Sequence, residues 1–103
     1  MKFLRSKPKD VEATITSIIR KYFPESTIKL LTKERSEVLE VHTYIYRIKD
    51  QELEDVDLRI MKRLYKMMKE LKKKFDDVYL LEYDSCEETI KIEVWVPASY
   101  LKK

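Results

Sequence analysis

The chain holds one histidine, His42, and one cysteine, Cys86. Neither has the company that chemistry needs. A closed zinc site takes four ligands, and one Cys with one His cannot supply it. Cys86 lies among Asp84, Glu87 and Glu88, whose negative charges disfavour the thiolate. His42 sits between residues of a strand-like alternation, where a lone imidazole is ordinarily a surface residue and is read here as outward-facing. Lys91 and Glu93, with Glu82 or Asp84, offer the residue types of a metal-dependent nuclease, but their spacing forms no motif. The acidic turn around Cys86 likewise lacks a defined ligand spacing for a divalent cation. We expect no catalytic residue, no metal site and no cofactor. The chain has no glycine at all, which excludes phosphate-cradling and dinucleotide-binding loops and the nucleophile elbow.

Two other sets of residues point to binding. At 100° per residue, Arg59, Lys62, Arg63, Lys66, Lys69 and Lys73 cluster on one helix face. From Asp55 to Phe75 there are eight Lys/Arg against three Asp/Glu, so the positive charge of the chain belongs to this stretch. Such a stripe can hold a phosphate backbone, with Lys2, Arg5, Lys7 and Lys9 adding contacts from an N-terminal arm. The alternative is a solvated helix face. The second set is aromatic. Tyr44, Tyr46 and Trp95 are read as pointing from the outer face of a sheet, with Tyr79 and Tyr83 joining them if the third strand presents that parity. Rings on a rigid sheet can stack on bases or pack against a second subunit or the terminal arms. Leu58, Met61, Tyr65 and Met68 widen the apolar stripe of the same basic helix beyond one core face. Part of that excess is expected to lie under the first helix, and the rest to form an interface.

Length and composition bound the elements that position these residues. The chain has 103 residues, 44% hydrophobic and 40% charged, with a net charge of +3. That is one core and one domain, residues 1–103. No apolar run is long enough for a bilayer span, and the basic start does not read as a secretory signal, so a cytoplasmic location is expected. Asn is absent, there is one Gln, and Lys and Glu dominate the charges, the pattern of a hyperthermophile. In composition the chain is similar to small open reading frames of crenarchaeal cells and their viruses.

Residues 1–7 read as a basic flexible arm. Val11, Ile15, Ile18, Ile19 and Tyr22 predict an amphipathic helix from Pro8 to Phe23, stopped by Pro24. Thr27 to Lys33 predicts a strand and Glu34 to Glu37 a turn. Val38 to Ile48 predicts a second, unusually long strand expected to bend or bulge, with Leu39, Val41 and Ile45 on its inner face. The acids from Asp50 to Asp57 precede a second helix reaching Phe75, with Leu53, Val56, Ile60, Leu64, Met67, Leu71 and Phe75 toward the core. Val78 to Tyr83 and Thr89 to Val96 predict two more strands around a turn at Asp84 to Glu88. Ile90, Ile92, Val94 and Val96 face inward, Pro97 ends the strand, and residues 98–103 form a short basic tail.

The order α-β-β-α-β-β predicts an α+β two-layer sandwich, with two helices packed on one face of a four-stranded, mainly antiparallel sheet. A permuted ferredoxin-like topology and a plain meander both satisfy that order. The leading expectation is a small non-enzymatic binding or assembly protein, a homodimer, binding DNA or RNA through the basic face. The alternative is a protein–protein interaction or structural subunit without nucleic acid, and a metal-dependent nuclease comes last.

Overall fold

A computed structural model describes residues 8–36 and 38–101 of the chain. The elements are α1 (Pro8–Tyr22), β1 (Thr27–Ser36), β2 (Val41–Lys49), a 3-10 turn (Gln51–Glu54), α2 (Leu58–Lys74), β3 (Asp77–Asp84), β4 (Thr89–Pro97) and a terminal turn of helix, α3 (Ala98–Leu101). Two helices pack against one face of a four-stranded antiparallel sheet, an α+β fold. The strand order is β1-β2-β4-β3, so the sheet is not a meander. Because β2 and β3 each pair antiparallel with β4, they run parallel to one another, and α2 is the crossover between them.

Local chemistry explains the boundaries. Pro24 ends α1, and Phe23 donates its backbone N–H to the carbonyl of Ile19 at 2.8 Å. The acidic run after β2 caps two helical segments instead of starting one long helix. The Asp50 carboxylate accepts the Glu52 N–H at 2.9 Å, and Asp57 accepts that of Ile60 at 3.0 Å. The second helix therefore begins at Leu58, later than its apolar period predicts, and Leu53 reaches the core from the 3-10 turn. The turns must form without glycine, and Glu40 and Glu88 adopt left-handed φ angles of 55° and 58°.

The core joins Val11, Ile15, Ile18 and Ile19 of α1 and Ile60, Leu64, Met67 and Leu71 of α2 to the inward residues of β2 and β4. On β4 these are Ile90, Ile92, Val94 and Val96, as their alternation predicts. The reading of β2 is corrected. The strand starts at Val41, with Val38 and Leu39 exposed in the turn before it. Tyr44 and Tyr46 do not face outward. They are 1% and 2% exposed, paired with Val94 and Ile92 and packed in the core, while Thr43, Ile45 and Arg47 take the open face. His42 opposes Val96 and shares the inward parity, so its outward placement is also corrected.

The expected irregularity of the long second strand falls elsewhere. Bulges interrupt β1 between Leu30 and Thr32 and β3 between Leu80 and Glu82. The β3 bulge settles the parity of its rings. Tyr83 opposes Ile90 on the helix side, whereas Tyr79 opposes Glu93 on the open side. β1 runs three residues past its predicted end to Ser36, and the predicted tail opens with α3. Lys2, Arg5, Lys7 and the side chain of Lys9 lie outside the described residues.

Candidate functional site

The two candidate surfaces converge on α2, whose four flanks do different work. Its core flank is the apolar stripe already described. The flank toward α1 is a polar seam. The Glu70 carboxylate accepts the Tyr22 hydroxyl at 2.6 Å and the Lys21 ammonium at 3.1 Å. Those two donors, Tyr22 first, hold the Glu70 carboxyl below its ordinary range, and the same bond raises Tyr22 and Lys21.

Arg63 belongs to this seam and not to the open basic face. It pairs with Glu52, stacks over the Phe23 ring at 5.2 Å and donates to the Tyr22 carbonyl at 3.5 Å. Its expected role as a free phosphate contact is therefore corrected. Helical geometry alone could not separate Arg63 from its neighbours, because the partners come from the 3-10 turn and the end of α1.

The outer flank carries Arg59, Lys62, Lys66, Lys69 and Lys73, all exposed. None of the five makes an ion pair among the described residues. Lys69 lies over the Tyr65 ring at 5.7 Å. Lys21 and Lys74 extend the same surface toward α1, around Glu70. Within α2 there are eight Lys/Arg and one acidic residue, Glu70, whose charge is already matched.

The last flank faces β3. Leu58, Met61 and Tyr65 are 67%, 55% and 64% exposed, and Met68 is half-buried against the core. α1 does not cover this excess, since it packs on the opposite side of α2 through Tyr22 and Lys21. Instead Met61, Tyr65 and Met68 line an apolar groove of about 480 Å³ with Leu80 and Tyr83 of β3. The Tyr83 hydroxyl closes one end by donating to the Leu53 carbonyl at 2.8 Å. Leu80 shares the inward parity of Val78 ahead of the bulge, whereas Tyr83 is turned toward α2 by the bulge itself, which leaves no periodic trace in the sequence.

The open sheet face is a poor platform for nucleic acid. Trp95 does point outward, and Tyr79 packs edge-on against it with ring centroids 5.3 Å apart. Both rings are tied to carboxylates: Trp95 donates to Glu93 at 3.1 Å and Tyr79 to Asp77 at 2.8 Å. Of the two cations that oppose one another across β2 and β4 on this face, Lys91 is paired with Glu82 at 2.9 Å and Arg47 is exposed. Negative charge beside the rings opposes a phosphate backbone.

Among the described residues no three His, Cys, Asp or Glu side chains gather where they could hold a metal ion. Cys86 is exposed. Burial, followed by the charges of Arg35 and Lys33, lowers the pKa of His42. The Tyr46 hydroxyl is buried and finds no hydrogen-bond partner among the described residues, and burial raises its pKa. Among the described residues no helix is long and apolar enough to cross a membrane. Compared with protein-family models, curated proteins and solved structures, the chain matches none.

Proposed function

We propose that the protein is a small non-enzymatic binding protein of the cytoplasm that holds the phosphate backbone of DNA or RNA on the outer face of α2. The observation that carries this reading is the row Arg59, Lys62, Lys66, Lys69 and Lys73, exposed on one rigid helix and free of ion pairs among the described residues. From Arg59 to Lys73, at 1.5 Å per residue, the cationic ridge is about 21 Å long. Four of the five cations are lysines, compact point charges suited to phosphates and not to the two-pronged reading of a base edge. The binding is therefore set by charge and is independent of sequence. Lys2, Arg5, Lys7 and Lys9 carry the same sign and extend the proposal to the N-terminus. The Lys/Glu-rich composition without Gly or Asn supports a thermophilic archaeal or viral source.

The test is charge reversal on the ridge alone. Combined Lys62→Glu, Lys66→Glu and Lys69→Glu should weaken DNA binding at least tenfold in about 0.1 M salt without lowering the melting temperature. Equal binding by the variant and the parent would overturn the reading. A second reading, an assembly subunit that binds no nucleic acid, draws on the apolar flank of the same helix.

A further inference from the structure

We propose that a second copy of this chain docks on the β3 edge, pairing β3 with β3 around a two-fold axis and burying the groove between α2 and β3. The inference is independent of the nucleic-acid reading, because it uses none of the outer cations.

The two edges of the sheet are built differently. β1, at one edge, presents Lys29, Lys33, Glu34 and Arg35, the charged residues with which edge strands resist pairing. β3, at the other, presents Tyr79, Leu80 and Leu81 along its middle, and its outer backbone edge pairs with no strand among the described residues. Leu80 is 49% exposed and opens directly into the groove beside Met61 and Tyr65. A strand partner satisfies the backbone edge, and an apolar partner fills the groove. One object supplies both: an edge strand with an apolar helix beside it, which is this same surface.

The area agrees. Leu58, Met61, Tyr65, Leu80, Leu81 and Tyr83 leave on the order of 600 Å² open, the top of the range for the largest apolar patch on a monomer and most of the ~800 Å² that each partner gives a standard interface. Symmetry also selects the arrangement. A two-fold contact sets apolar flank against apolar flank and closes after two copies. Two of the three acids of β3 are matched within the chain, Asp77 at 3.7 Å from Lys72 and Glu82 at 2.9 Å from Lys91, and the third, Asp84, sits at the end of the strand and accepts the Glu87 N–H at 3.1 Å.

Sedimentation of the full chain at about 50 µM, in low and in about 1 M salt, reads the assembly state; apolar contacts persist where ionic ones are screened. The expected mass is twice the 12.5 kDa of one chain in both. Met61→Lys and Leu80→Lys should each give a monomer with the parent's circular dichroism, and Glu34→Lys on the β1 edge should leave the dimer intact. Should a variant fail to fold, hydrogen exchange on the parent decides the same point: dilution should release amides of residues 77–84 and leave those of 27–36 unchanged. A parent that sediments as a monomer, or a dimer indifferent to both substitutions and to dilution, overturns the proposal.

Discussion

Glu70 shows how one residue divides α2 into a structural side and a free side. Its carboxylate, the one acidic side chain of α2, is taken up by Tyr22 and Lys21 from α1, and among the described residues the outer lysines make no ion pair. Because its pKa is lowered in the folded protein, the unfolded chain binds more protons as pH falls, and the stabilisation present at neutral pH is lost on passing down through the lowered value. Glu70→Gln should therefore flatten the acid limb of a plot of melting temperature against pH and, because the same carboxylate raises Tyr22 and Lys21, should flatten the alkaline limb as well. His42 acts in the same direction at higher pH. Its imidazole is held below its ordinary value, so protonation favours the unfolded chain as pH drops through about 6.5. His42→Gln should remove that portion of the curve, as thermal melts in a pH series will show. The lowered values depend on contacts between elements, which is why the residue types alone did not reveal them.

At the scale of elements, the helices and β4 were legible and β2 was not. The core stripe of α2 repeats every turn, and β4 alternates without interruption, so both declare their buried face. β2 offers apolar residues on both parities, Tyr44, Tyr46 and Ile48 against Val41 and Ile45, so alternation alone does not say which set is buried. The charge of Arg47 and Lys49 was the available signal, since it marks the other parity as the solvent side. The bulges in β1 and β3 were hidden for a different reason: one inserted residue leaves composition unchanged while reversing the face of everything beyond it. The glycine-free turns give a prediction at this scale. Glu88 holds φ at 58° between β3 and β4, a conformation that costs an L-residue about 1–2 kcal/mol, partly offset by the extra chain entropy that glycine loses on folding. Glu88→Gly should raise stability by up to about 1 kcal/mol in chemical denaturation, and Glu88→Val should lower it.

Across the whole molecule, the architecture segregates charge and apolar surface around one helix. α2 closes the core with one flank, bonds α1 with a second, opens a groove toward an edge strand with a third and, with the fourth, lifts into solvent five cations that make no ion pair among the described residues. The basic ridge was visible from spacing alone because a 3.6-residue period projects it. Its reduction by Arg63, and the extension of the apolar flank onto β3, required the fold. The two surfaces meet where Lys69 lies over the Tyr65 ring, and the remainder of the ridge lies away from β3, so a dimer built on β3 leaves the outer face of α2 in each copy open to a polyanion.

The most direct test of phosphate binding is fluorescence anisotropy of labelled double- and single-stranded DNA across a salt series. Five phosphate contacts per chain predict affinity that falls log-linearly with salt, with a slope of about −4 to −5 on duplex DNA and no dependence on sequence. Absence of binding at low salt, or binding whose affinity ignores salt, would contradict the account and leave the outer face of α2 a solvated surface.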